Sequence, residues 1–240
     1  MAKPPAHHFL AAAVLALAAL PAQALIVLGF EGVNATYPST TSADIAGFYG
    51  GGVSSQSTTG VNYGINFSAN AIAVCLNAVA GSCSNASRGG LSVTSSQGAL
   101  GIGSGSSVWF DVPAGFTFAI GFSYAVAAGS VATISAYSGP AATGALLAPP
   151  LVLVPGSAGC PAYNAMLCPL GPGGYSFVGT AQSVVFAGQP GKVVWDDLTL
   201  GANDPQPPPA IPEPATALLW LAGLSAIAAA RHRAAGRLQG

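Results

Sequence analysis

Seven carboxylates, four thiols and three imidazoles are the groups through which this 240-residue chain could do chemistry. The imidazoles are His7, His8 and His232, all close to the chain ends. Ser-His-Asp or Cys-His catalysis needs an imidazole base beside the nucleophile, and residues 9–231 contain none. The acids of the middle region are Glu31, Asp44, Asp111, Asp196, Asp197 and Asp204. A pair of carboxylates is the minimum for glycoside hydrolysis, one as acid and one as base or nucleophile. Only Asp196 and Asp197 are adjacent, and on a regular strand neighbouring side chains point to opposite faces. Glu31 or Asp111 would have to join one of them in space. The thiols are Cys75, Cys83, Cys160 and Cys168, two C-x7-C pairs. That spacing is wider than the C-x2-4-C of zinc sites, and no histidine lies nearby. Local disulfides Cys75–Cys83 and Cys160–Cys168 are the natural reading, one of three connectivities open to four cysteines.

Disulfides presuppose an oxidising compartment, and residues 1–24 supply a route to one. Lys3 gives a positive start, Phe9–Leu20 a short apolar core and Ala22-Gln23-Ala24 a small-x-small cleavage site. Signal peptidase would cut after Ala24. Between residues 25 and 210 the only bases are Arg88 and Lys192, against six acids. Two cations make no track for a phosphate backbone, which excludes nucleic acid as a partner.

The elements that must position these groups are strands. In "FTFAIGFSYAV", Phe116, Phe118, Ile120, Phe122, Tyr124 and Val126 alternate with Thr117, Ala119, Gly121, Ser123 and Ala125. This period of two predicts a strand with a large apolar face and a small one. Further strands are predicted at 26–30, 63–67, 71–75, 91–94, 107–112, 130–137, 145–154, 181–187 and 193–200. Gly, Pro, Ser and Asn clusters such as Gly98–Gly105 and Pro169–Gly174 read as turns, and residues 38–60 and 81–105 as long loops. Helical periodicity is nearly absent between 25 and 205. The expected fold is all-β, an antiparallel β-sandwich of jelly-roll type over residues 25–202. A Pro-rich linker follows at 203–211.

Residues 212–237 differ in kind. Pro212-Glu213-Pro214 precedes a run uncharged from Pro214 to Ala230, and Arg231, Arg233 and Arg237 follow. As a single helix those 17 residues would be about 25 Å long, short of a hydrocarbon core of about 30 Å. The arginines would keep the chain end in the cytoplasm and the domain outside. This order of motif, apolar helix and arginine cluster resembles the PEP-CTERM sorting signal of Gram-negative bacteria. The resemblance implies export across the inner membrane, a transient anchor, and cleavage by exosortase near Pro212, Glu213 and Pro214. It also implies delivery to the cell surface or matrix in an exopolysaccharide or biofilm setting.

"GFEG" at 29–32 and "VVWDDLTLG" at 193–201 resemble the first and last strands of exported galactose-binding and carbohydrate-binding-module jelly rolls. In such folds these strands are neighbours. The resemblance makes Glu31 with Asp196 or Asp197 candidate ligands of a structural calcium ion, which takes several hard oxygens. The alternative is that the aspartates end the strand and cap the turn at Gly201. Trp109, Trp195, Tyr49 and Tyr63 are candidate rings for stacking on sugars, each with packing as its plain alternative. The expected function is thus non-catalytic, structural or adhesive. A carbohydrate-binding module acting on exopolysaccharide is the alternative, and a glycoside hydrolase the weaker one.

Overall fold

The computed structural model describes residues 25–37, 39–76, 78–79, 82–83, 97–155, 167 and 170–206. The expected signal peptide, the predicted strand at 91–94, the Cys160–Cys168 pair and the C-terminal signal lie outside them. No helix occurs among the described residues. The strands are β1 (Ile26–Leu28), β2 (Ser42–Asp44), β3 (Asn66–Phe67), β4 (Ala71–Val74), β5 (Ala78–Val79) and β6 (Ser82–Cys83). They continue as β7 (Leu100–Ile102), β8 (Ser107–Val126), β9 (Ala132–Tyr137), β10 (Leu151–Leu153), β11 (Gly171–Ala187) and β12 (Val193–Leu200).

Ten strands form one antiparallel sheet in the order β10-β9-β11-β8-β12-β7-β4-β2, with β1 also on β12 and β3 also on β8. With no helix among the described residues to cover it, the sheet must cover itself. Residues from both ends of the order, Ala43 of β2 and Leu153 of β10, belong to one buried cluster with Phe110, Phe122, Phe186 and Trp195. The all-β expectation therefore holds, and the layers are joined through long, bent strands instead of being separate sheets. The first and last strands are neighbours as expected, with Ile26 opposite Leu200.

The bend lies in β8 and β11. Ala181 faces Phe116 and Ser183 faces Asp111, so four residues of β8 stand against Gln182 alone. Pro113 sits in this bulge, where no ladder donor is needed. A second bulge compensates on β11: Thr180 pairs with Thr117 and Ser176 with Ala119, leaving Phe118 opposite Phe177–Gly179. The predicted strands 107–112 and 116–126 are thus one strand of 20 residues. Phe118 does not follow its predicted apolar face. Its φ of 80° turns the side chain outward, where it is 61% exposed.

Several predicted loops are strand. β2 falls within 38–60, and β6 and β7 within 81–105. These are two- or three-residue pieces, too short to show a period. The Gly171–Gly174 run opens β11 instead of forming a turn. Two of its glycines are required by packing: a Cβ on Gly173 would overlap the Phe122 ring, and one on Gly174 would overlap Asn203. Conversely, most of the predicted strand 145–154 is irregular, with only Leu151–Leu153 paired as a strand.

The small face of β8 is also covered. Ala125 packs in a second apolar cluster with Ala99, Ala127, Leu167, Leu170 and Val194. Nearer the bend, the chain leaving β12 crosses back over this face. A Cβ on Gly121 would overlap the Asp204 backbone. Ser176 Oγ donates to Asn203 Oδ1 at 3.0 Å, and Gln206 N donates to Thr199 Oγ1 at 2.9 Å. Residues 203–206, expected to begin the linker, are instead a strap packed on the sheet.

Candidate functional site: the carboxylates beside the first and last strands

Of the acids singled out from the sequence, Glu31, Asp196 and Asp197 lie in the region where β1 and β12 meet. Glu31 follows β1, and its Oε1 accepts the backbone N–H of Gln97 at 2.6 Å and of Gly98 at 3.3 Å. It thereby pins the segment entering β7. Phe30 and Tyr49 pack edge to face at 6.0 Å, and Phe30 N donates to the Tyr49 hydroxyl at 2.8 Å.

Asp196 and Asp197 do not point to opposite faces. The β8–β12 register shifts between Asp196 and Thr199, and Asp197 has a φ of 50°. Val193 and Trp195 before this bulge, and Leu198 and Leu200 after it, all enter the main core. Two consecutive residues are therefore left on the other side. Asp196 pairs with Ser123, and Ser123 Oγ donates to Asp197 Oδ2 at 3.2 Å. Asp197 N donates to Asp196 Oδ1 at 2.8 Å. Asp197 is a residue type that tolerates the left-handed conformation, which is why a bulge can sit here. Both side chains are buried.

The carboxylates mark the surrounding tyrosines. Burial first, then the negative charges of Glu31 and Asp196, hold the Tyr37 hydroxyl well above the usual tyrosine range. Burial likewise raises Tyr49, whose hydrogen bond from Phe30 opposes the shift while Asp196 and Glu31 add to it. Both phenols are neutral at physiological pH; Tyr49 accepts its hydrogen bond from Phe30, whereas the buried Tyr37 hydroxyl has no partner among the described residues.

Among the described residues, no group of three or more His, Cys, Asp or Glu side chains is placed to hold a metal ion. Glu31, Asp196 and Asp197 share a neighbourhood without forming such a group. Glu31, a candidate calcium ligand, is directed to the Gln97 and Gly98 amides, while Asp197 accepts from Ser123. Asp111 lies elsewhere, its Oδ1 accepting the Ala141 amide at 2.6 Å. It steadies a turn in which Ala141 and Ala142 both have positive φ.

The candidate sugar-stacking rings divide. Trp195 is fully buried, 5.1 Å from Phe186, and is a core residue. Tyr49 is buried too, while Trp109 and Tyr63 are half-buried. Tyr63 stacks on Tyr49 at 6.3 Å and 24°, and the pair lines a groove of about 460 Å³ with Glu31, Phe48, Thr59 and Val61. Sequence reasoning did not find this groove, because its walls come from β1 and from a loop some thirty residues later.

One cysteine pairing is resolved. Cys75 and Cys83 form a disulfide with Cα atoms 5.9 Å apart, at the end of β4 and in β6. Asn34 holds the turn after β1: its Oδ1 accepts Thr36 N at 2.9 Å, and its Nδ2 donates to Thr40 O at 3.1 Å.

Residues 210–234 match the PEP-CTERM protein-sorting motif. The chain carries an exosortase sorting signal. Pro212, Glu213, Pro214, Arg231 and Arg233 all fall inside the matched segment. A PEP-CTERM signal directs export and membrane-anchored sorting through exosortase, so that enzyme is a processing partner of this chain. A comparison with curated proteins finds no match to the chain. The match bears on sorting, and the β domain is read from its own geometry.

Proposed function

We propose that the β domain is a non-catalytic structural or adhesive module, delivered by exosortase to the surface or extracellular matrix of a Gram-negative bacterium. Exopolysaccharide or biofilm is its expected setting. The observation that carries this reading is how the acids are used. Glu31, Asp111 and Asp197 accept hydrogen bonds that hold loops and a bulge, which is a scaffold's use of charge. The test has two parts. Mass spectrometry of the mature chain from its host should find both ends trimmed, and deletion of residues 212–237 should abolish surface delivery. Hydrolysis of a broad glycan panel, lost in Asp196→Ala while the fold persists, would overturn the non-catalytic reading.

A second reading has one observation in its favour, the Tyr63 groove. An aromatic ring beside a carboxylate and a threonine hydroxyl suits a neutral sugar, whose apolar face stacks and whose hydroxyls hydrogen-bond. The named walls of the groove include no cation, which disfavours an anionic ligand. Tyr63→Ala should abolish saturable binding to the host polysaccharide if this reading holds. Absence of any such binding by the unaltered chain removes it.

A further inference from the structure

Phe118 is the largest exposed apolar side chain among the described residues, and its backbone adopts a left-handed conformation that bulky L residues rarely take. Opposite it in the paired bulges stands Val178, 86% exposed. Both lie over a firm base, since Phe116 and Phe177 pack edge to face at 5.4 Å and are buried. The two chain segments therefore hold a small apolar knuckle outward at the bend of the sheet. Strained backbone that exposes an aromatic ring, where simple alternation would have buried it, is a feature that asks for a partner.

The position of the knuckle indicates which partner. Gly201 N donates to Ala119 O at 2.9 Å, so the last strand ends beside the residue next to Phe118. Leu25, Ile26, Gly115, Phe116 and Gly201 line one hollow, which puts the start of β1 at the same bend. Gln206, the last described residue, is held on Thr199, which is paired with Gly121, three residues from Phe118 and about 10 Å along the strand. From Gln206 to the uncharged run at Pro214 is eight residues, a reach of at most about 28 Å. A domain of residues 25–206 has a diameter of about 40 Å. The tether is thus shorter than the domain is wide, and while the sorting segment is in the bilayer it keeps the bend off the pole of the domain farthest from the membrane.

We infer that the Phe118–Val178 knuckle is a lipid-contacting surface that seats the domain on the membrane during the anchored stage of sorting. The inference rests on the membrane-anchored sorting of the chain and not on the adhesive reading. The knuckle carries no charge of its own, so seating depends on apolar insertion and is insensitive to headgroup charge.

The test uses the full chain reconstituted in phosphatidylcholine vesicles with and without brominated acyl chains. Trp220 in the sorting segment reports the anchor, as the emission lost between the unaltered chain and Trp220→Phe, and Phe118→Trp in a Trp220→Phe background reports the knuckle, as emission added to that of Trp109 and Trp195. Val178→Trp in the same background serves if the first variant does not fold. The expected result is quenching of Trp220 in the unaltered chain and loss of the added emission at 118 or 178 in brominated vesicles. The result should persist when phosphatidylglycerol is included. Quenching of Trp220 with no quenching at either knuckle position overturns the proposal and leaves the anchor intact. No quenching of Trp220 overturns the anchor and the knuckle together. A blue shift at 118 that depends on protein concentration in the absence of lipid would assign the knuckle to a second copy of the chain, and also overturns the proposal.

Discussion

Gly121 and Asp204 are in backbone contact, and the contact exists because Gly121 has no side chain. A Cβ at this position would overlap the Asp204 peptide. Ser123, two residues along the same face, receives Asp197 instead. The small face of β8 is thus a seat for the chain that leads from the domain to its sorting signal.

Gly121→Val should dislodge this strap while leaving the main core intact. Overpacking of this kind costs about 1–3 kcal/mol. Amide exchange at Gln206, slowed by its bond to Thr199, should accelerate, and limited proteolysis should open new cuts after Leu200. A variant with unchanged melting temperature and unchanged Gln206 exchange would show that the strap does not need the glycine.

Trp195 anchors the core, yet its indole N–H is buried with no hydrogen-bond partner. Trp195→Phe keeps most of the apolar volume and removes the orphaned donor. It should destabilise by about 1–2 kcal/mol, against about 3–5 kcal/mol for Trp195→Ala. Urea unfolding of the two variants checks the order.

The Cys75–Cys83 bond closes a short loop, with a sequence separation of 8. Replacing both by serine should lower stability by about 2–3 kcal/mol through the freed unfolded chain. Peptide masses before and after reduction should place Cys75 with Cys83. Loss of a cross-linked mass without loss of stability would show that the strands hold this corner by themselves.

Alkaline pH should unfold the domain through its buried phenols. Tyr37 and Tyr49 are held above the ordinary value of 10.0 by burial and by nearby carboxylates. A raised folded-state value means that the unfolded chain loses the proton first as pH rises. Stability from these groups is therefore complete below about pH 10 and declines above it. Ultraviolet titration should show their phenolate absorbance appearing together with unfolding. Early, reversible ionisation of both in the folded protein would contradict their burial.

The alternating pattern from Phe116 to Val126 was legible as a strand because burial on one face leaves a period of two in the sequence. The short strands β2, β6 and β7 left no such trace, because two or three residues cannot display a period. The pairing of Cys75 with Cys83 was legible from proximity in the chain. The direction of Asp196 and Asp197 was not, because a bulge reverses the alternation on which any reading of faces depends. Phe118 was misplaced for the same reason.

The sorting of this protein is written in its linear sequence. A sorting signal is read by other machinery as a linear order of Pro-Glu-Pro, apolar run and arginines, and residues 210–234 carry that order without help from the fold. The sequence by itself also determined the all-β class, since apolar period follows from local geometry. The fold was needed to bring Glu31 and Asp196 into the neighbourhood of the same two tyrosines, to cover the small face of β8 and to turn Phe118 outward. Those depend on register, bulges and pairings between residues as far apart as Ile26 and Leu200, 174 positions along the chain. Such relationships are settled when the sheet closes on itself, and no local pattern encodes them.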